Sequence, residues 1–525
     1  MAFVASRPRS LPRVDSPTAS VVLPVLFVLG LLVLGLWLHT RALGEALWMD
    51  EGLSIGIASE SVFDIPGTLR LDGSPPLYYM LLSAWMDLIG DGPAETQGLS
   101  VLISLLAIPG GLWAGWSLFG RRAGLTCAAL FAFNGFLTAY AQETRMYALM
   151  IVLSLLLTAA FLHVFVYRRR TYLPLFIAVL AAMVYTHNWG LFVTAGALVA
   201  LVPVWLASEE RPAIVRDALI GFGVAGVLYL PWLPTLLHQV QHTGAPWLNA
   251  PRLGAPAQIS KSLLGGGTVT VALVLAAGSG LAAAGAKRAD SRERRAIIVA
   301  ATLCVATLAI AWLFSQVSPA WTTRYLGVAL GPLLLLAALG LARAGNLGLV
   351  ALVIILGIWA VPKTYDLRNK SNASDLRAAA VPQLRENDLV ISMQPEQVPL
   401  LQYHLERLGG TAPLRYATPL GAVDQPNVMD WTDAQERMEA SRTATNLEPL
   451  LAKLPRSGRV LLVHPVTSRV DDWDAPWTQL VRRRSAHWGA ALANDRRFKP
   501  IGVVPPSYRR ATRIGVRGVL YEKAG

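Results

Sequence analysis

The chain has 525 residues, of which 54% are hydrophobic and only 15% charged, with a mean hydropathy of +0.46. A soluble domain carries about 25% charge, so most of this chain is read as dissolved in lipid. The net charge of +13 is no nucleic-acid footprint, because Lys and Arg sit in short clusters between apolar runs with no interleaved aromatic platform, the pattern of cytoplasmic loops facing anionic headgroups. Cys127 and Cys304, the only cysteines, lie inside apolar segments, which excludes a disulfide framework and a cysteine-based metal site.

Arg7, Arg9 and Arg13 precede an apolar run at 21–39. The run is too long for a signal peptide and no small-x-small cleavage site follows, so a retained first transmembrane helix entering from the cytoplasm is expected. Runs able to span a core of about 30 Å follow near 98–118, 123–140, 146–167, 172–187, 190–207, 217–235, 267–285, 296–315, 325–342 and 346–361, giving about eleven transmembrane helices. The segment 75–88, with Asp87 inside it, is short for a span and fits an interfacial helix. If it lies flat, Arg121 and Arg122, Arg168 to Arg170, the 209–217 loop, the Lys287 to Arg295 cluster and Arg343 all stay on the side of the N-terminus. If it spans, the first two clusters move outside, against the positive-inside rule.

Residues 40–97 then form a long first external loop carrying two surface helices, and the segments around 142–145, 187–190, 238–266 and 316–324 are external too. Beyond Pro362 the composition becomes that of a soluble domain. Strands expected at 388–393, 459–464 and 518–522 alternate with amphipathic helices at 374–385, 396–409 and 432–454, a small α/β arrangement placed outside by the parity of the spans. The expected fold is a membrane all-α domain over residues 1–361 followed by a C-terminal α/β external domain over 362–525, multi-pass in the cell inner or plasma membrane.

Five polar clusters fall on the external side. Asp50 and Glu51, just outside the first span, offer paired carboxylates for a general base and a metal ligand or orienting group; an acidic first turn of a helix is the ordinary alternative. The run from Asp72 to Tyr79 opens a helix with Pro75 and Pro76 and sets Tyr78 and Tyr79 at the water–lipid interface. Between two spans, Gln142, Glu143, Thr144, Arg145, Met146 and Tyr147 bring ionisable groups to membrane depth, where they are functional candidates by default, an ion pair of Glu143 with Arg145 being the structural alternative. His187 beside Asn188 offers ligands for metal, phosphate or sugar hydroxyls. Arg324, with Tyr325, sits at the outer end of a span against the usual inside bias, where its planar fork suits a lipid phosphate; snorkelling to headgroups is the alternative. Together the clusters imply one shared external cavity. A divalent metal is left open as a cofactor, with Asp50, Glu143 and His187 as candidate ligands.

These motifs, in this order and on this side, resemble the GT-C superfamily of polytopic glycosyltransferases, in particular the bacterial branch related to protein O-mannosyltransferases and aminoarabinose transferases. The likeness covers roughly residues 20–360 and rests on Asp50 and Glu51, on Pro75 to Tyr79, on Gln142 to Tyr147, on His187 and Asn188, on Pro231 and Trp232, and on Arg324 and Tyr325. It implies a sugar donor on a polyprenyl phosphate, a glycan, lipid or protein acceptor, surrounding membrane lipids and no nucleic acid, with mannose or a pentose transferred and the anomeric centre inverted. It implies Asp50 as catalytic base, with Glu51 its rival for that role, and Arg324 on the donor phosphate, with Tyr78, Tyr79, Glu143, Arg145, Tyr147, His187, Asn188 and Tyr325 also binding substrate. The aminoarabinose-type enzymes keep a lysine beside the proline pair; here Ser74 stands before Pro75, which shifts phosphate binding towards Arg145 or Arg324. The rival class is a non-enzymatic transporter or flippase of lipid-linked sugars, which should show inverted repeats and polar groups at the membrane midplane.

Overall fold

The computed structural model describes residues 17–45, 47–286, 291–361, 367–466, 474–504 and 515–524; Arg7, Arg9, Arg13, Lys287 and the junction at Pro362 lie outside the described residues. The chain is a multi-pass membrane protein. Among the described residues, eight helices are long and apolar enough to cross a membrane: Val22–His39, Pro93–Phe119, Tyr147–Val166, Trp189–Leu206, Arg211–His242, Gly267–Gly285, Ser291–Phe314 and Thr323–Arg343. A ninth is obtained when Arg121–Phe133 and Gly135–Ala141, bent by 52°, are taken as one broken span. The other two of the eleven apolar runs fall on the shorter helices Arg170–Thr186 and Gly345–Ala360, which at 1.5 Å per residue reach only about 25 Å.

The bend has a local cause. Asn134 accepts a hydrogen bond from the Leu137 amide at 3.0 Å, capping the second helix of the pair, and donates through its own amide to the Leu263 carbonyl at 3.0 Å. An asparagine used as an N-cap stops one helix and restarts the next. The preceding turn is equally specified: a Cβ at Gly115 would lie 2.8 Å from the Ala123 carbonyl, and one at Gly124 2.7 Å from that of Leu112. Small residues there let the helices Pro93–Phe119 and Arg121–Phe133 pack backbone to backbone, the usual solution where lipid supplies no hydrophobic drive between helices.

The 40–97 loop carries helices Met49–Ala58 and Leu77–Ile89, the two expected there. The first is not left on a surface: every residue from Asp50 to Ala58 is buried, because the C-terminal part of the chain lies over it. Its glycines permit that approach. A Cβ on Gly52 would stand 2.7 Å from Leu400 Cα, and one on Gly56 would run into the Asn427 carbonyl.

The C-terminal part is a six-stranded mixed sheet in the order β3-β2-β1-β4-β6-β5, with β1 at Leu389–Ser392, β2 at Arg415–Thr418, β3 at Gly421–Val423, β4 at Arg459–Val466, β5 at Phe498–Val504 and β6 at Gly515–Lys523. β1 runs parallel to β2 and β4, while β6 is antiparallel to both β4 and β5. Two separate apolar clusters fill the layers on either face, one around Ile391, Leu462 and Trp488 and the other around Val390, Leu401 and Leu461, which is why β1 and β4 read as continuous apolar runs. Backbone bonds fasten this unit to the membrane part: the Trp431 amide donates to the Leu71 carbonyl at 2.9 Å, Asp433 to His242 at 2.8 Å and Trp477 to Pro246 at 3.3 Å.

Candidate active site

Between one end of the helical bundle and the C-terminal unit lies a cavity of about 390 Å³, within the range of about 300–1,000 Å³ typical of small-molecule sites. Trp48 is extended and precedes the helix Met49–Ala58, so Asp50 and Glu51 occupy its first turn, where carboxylates are favoured by the helix dipole. Successive residues of a helix point about 100° apart, which sends the two carboxylates in different directions. Asp50 lines the cavity, whereas Glu51 points away into protein.

Asp50 Oδ2 accepts from the Arg324 guanidinium at 2.6 Å. Arg324 reaches it from a tight turn, Thr323–Ala329, that opens the span ending at Arg343, and its guanidinium lies 5.5 Å from the Trp48 ring centre and 5.8 Å from that of Tyr325. A second guanidinium, Arg145, donates to the Asp50 carbonyl at 3.2 Å and to Ser54 Oγ at 3.0 Å and also lines the cavity. His187 sits in the extended break between two helices and packs 4.4 Å from Tyr325. Its Nδ1 accepts from the Trp189 amide at 3.1 Å, which leaves Nε2 to carry the proton of the neutral ring. Burial, then the nearby Arg145 and Arg324 charges, push the imidazole down to about 3, so it acts as a neutral donor. Asn188 donates to the Gly73 carbonyl at 2.9 Å, holding the proline-opened segment against the site.

The structure therefore brings Asp50, Arg145, His187, Asn188, Arg324 and Tyr325 together around one cavity. The remaining expected site residues stand behind its wall. Tyr78, Tyr79, Glu143 and Tyr147 are fully buried and do not line it; Tyr147 backs the site by packing against both Tyr325 and His187. Glu51 is withdrawn as a base. Its Oε1 accepts from Gln97 Nε2 and the Thr144 amide, both at 3.0 Å, and its Oε2 accepts from the Trp48 amide at 3.2 Å and Lys370 Nζ at 2.7 Å. With four donors and no access to the cavity it holds elements together and has no lone pair free for a substrate proton.

Asp50, Glu143 and His187 do not converge on a metal position. Among the described residues no three His, Cys, Asp or Glu side chains form a ligand group, and Asp50 is already engaged by a guanidinium. Asp50, Glu143 and His187 therefore do not form a shared metal site.

Sequence reasoning passed over several lining residues. Asp72 belongs to a motif it singled out, yet was given no role; it lines the cavity, and burial raises its carboxyl above the usual range, opposed by hydrogen bonding to Ser74 and by the Arg145 charge. Trp247, Gln394, Glu396 and Trp431 also line it, and the last three come from the C-terminal unit. No local sequence signal marks them, because their place in the site arises from the docking of that unit.

A polytopic helical bundle with a cavity at one end of its helices and a mixed-sheet unit closing it is a fold the chain shares with membrane proteins of known structure. The chain is similar to ArnT from Cupriavidus metallidurans in the apo state, at 14% identity over 97% of this chain and 100% of that one, with a TM-score of 0.55. It is similar to the same protein bound to undecaprenyl phosphate, at 15% identity over the same shares, with a TM-score of 0.56. It also resembles the archaeal oligosaccharyltransferase AglB from Archaeoglobus fulgidus in complex with an inhibitory peptide and a dolichol-phosphate, at 13% identity over 83% of this chain and 69% of that one, with a TM-score of 0.51. No family model and no curated protein matches the sequence.

Proposed function

We propose that the protein is a glycosyltransferase acting on the external membrane face, moving a single sugar from a polyprenyl-phosphate donor to a hydroxyl of a glycan, lipid or protein acceptor with inversion. The observation that carries this reading is the 2.6 Å pairing of Asp50 with Arg324 in a cavity that also holds Arg145 and a neutral His187. One wall thus carries a carboxylate to take a proton and cations to receive a phosphate. The fold supports the same reading, since its ArnT example holds undecaprenyl phosphate.

In the reaction, Asp50 accepts the proton of the acceptor hydroxyl as its oxygen attacks the anomeric carbon. The bond from that carbon to the phosphate oxygen breaks, and polyprenyl phosphate leaves as a dianion. Its new charge is met by Arg324 and Arg145, with the N–H of His187 as a further donor. Arg324 exchanges Asp50 for the phosphate when the donor binds, which frees the carboxylate for the proton. Mannose or a pentose is favoured by the sequence resemblance alone. Incubating the purified protein with a panel of polyprenyl-phosphate sugars together with glycan, lipid and peptide acceptors and measuring released polyprenyl phosphate tests the reading; a flippase moves such lipids and releases none, and absence of release from every donor and acceptor pair rejects the proposal.

Arg324→Ala is expected to weaken undecaprenyl phosphate binding by about tenfold to a hundredfold, the equivalent of a charge-assisted hydrogen bond. Equal affinity in correctly folded variant protein moves the phosphate to Arg145. The external placement of the C-terminal unit rests on the parity of the eleven expected spans. A periplasm-type reporter fused after Gly525 should be active, and activity confined to a cytoplasmic reporter overturns that topology.

A further inference from the structure

The part of the cavity wall formed by Trp247, Glu396 and Trp431 is aromatic and acidic, and the donor chemistry uses none of these residues. Trp431 packs 4.4 Å from Trp247 and 5.2 Å from Trp477, so three indoles from two parts of the chain form one platform, and Trp247 and Trp431 face the cavity. Behind them, Trp477 Nε1 donates to Glu396 Oε1 at 3.0 Å, and Gln394 Nε2 donates to the same oxygen at 2.8 Å. Gln394 is itself fixed by Gln397 Nε2 at 2.9 Å.

Glu396 is only 3% exposed and lines the cavity. Its second carboxylate oxygen, Oε2, has no hydrogen-bond partner among the described residues. A buried acceptor left without a donor is costly and calls for an explanation. The orientation of Glu396 is imposed by two donors on the other oxygen, which leaves Oε2 as the acceptor a ligand in the cavity can satisfy. Burial raises its carboxyl above the usual range, and the charge of Asp50 across the site adds to that.

We infer that this wall is the acceptor subsite and that it takes a neutral saccharide, stacked on the Trp247 and Trp431 indoles with a ring hydroxyl donating to Glu396 Oε2. The inference rests on the transferase reading and names its acceptor class. Aromatic faces match the C–H face of a sugar ring through dispersion contacts, while carboxyl oxygens match its hydroxyls. Asp50, Asp72 and Glu396 together disfavour an anionic acceptor head on this side. A peptide offers no comparable flat C–H face, so a peptide acceptor is the outcome that counts against the assignment.

The test uses full-length protein in detergent. Saturation-transfer NMR is recorded with neutral mannan, arabinan and glucan fragments and, separately, with a short peptide rich in Ser and Thr. At least one class of saccharide fragment is expected to bind and the peptide not to. Trp431→Ala and Glu396→Gln should each weaken saccharide binding by about tenfold to a hundredfold, while Trp431→Phe, which keeps an aromatic face, should retain most of it. Should Trp431→Ala fail to fold, the near-isosteric Glu396→Gln carries the test. Binding of the peptide alone, binding of nothing, or saccharide affinity unchanged in Glu396→Gln overturns the subsite. Donor cleavage is measured in parallel with the full panel of glycan, lipid and peptide acceptors present: release of polyprenyl phosphate alongside a failed binding test rejects only this inference, whereas saccharide binding without release from any donor rejects the transferase reading.

Discussion

Asp50→Asn is expected to lower turnover by about 10²- to 10⁴-fold, the usual contribution of a general base. The substitution keeps the size of the side chain and a hydrogen-bonding oxygen for Arg324 but removes the basic lone pair and the charge. Because Arg324 loses a competing carboxylate now held at 2.6 Å, undecaprenyl phosphate affinity should be retained or strengthened. That split between turnover and donor binding separates a base from a merely structural member of the pair. Near-normal turnover removes Asp50 from the chemistry and directs attention to Asp72, the other carboxylate of the membrane part that lines the cavity; Asp72→Asn is the matching variant. Glu51 is no longer a rival in that comparison, since its oxygens are occupied by four donors.

The helical part was legible because run length is a local property: each expected apolar run falls on a helix, and length alone leaves Arg170–Thr186 and Gly345–Ala360 short of a full span. Arg324 was legible as an exception to the charge bias of the loops, though its partner lies 274 positions away and no periodicity links the two. The two carboxylates could not be told apart because Asp50 and Glu51 are neighbours in sequence; what separates them is Lys370, 319 residues from Glu51. In the C-terminal unit the strands expected near β1, β4 and β6 are present, while β2, β3 and β5 escaped. β2 and β3 have only four and three residues, and β5 contains Pro500 with an irregular register before Gly502, which breaks the alternation that marks a strand. The helix expected over 432–454 is interrupted after Ala440, and the helix Pro476–Asn494, which carries the buried Trp477, was not anticipated. Of the acidic and aromatic wall, Glu396 falls at the start of the helix expected over 396–409, whereas Trp477 behind it sits on the unexpected helix Pro476–Asn494.

Lys370→Met is expected to destabilise the protein by about 3–5 kcal/mol, the cost of leaving one member of a buried ion pair without its partner. Lys370 and Glu51 side chains are 1% and 0% exposed, with 2.7 Å between them, and Lys370 also donates to the Gln142 carbonyl at 3.2 Å. The pair thus ties the segment entering the C-terminal unit to the 40–97 loop and to the Gln142 turn. Glu51→Gln should cost a comparable amount by stranding the ammonium. The double variant Glu51→Gln with Lys370→Met should recover a large part of either loss, because no uncompensated charge is left buried. A double-mutant cycle of unfolding in detergent reads this directly. Simple additivity of the two losses shows that the residues do not act as a pair. Turnover should fall in the single variants only along with stability, because Glu51 sets the start of the helix that carries Asp50 through its bond to the Trp48 amide. Loss of turnover in Glu51→Gln with stability unchanged returns Glu51 to the reaction and removes the positioning role assigned to it.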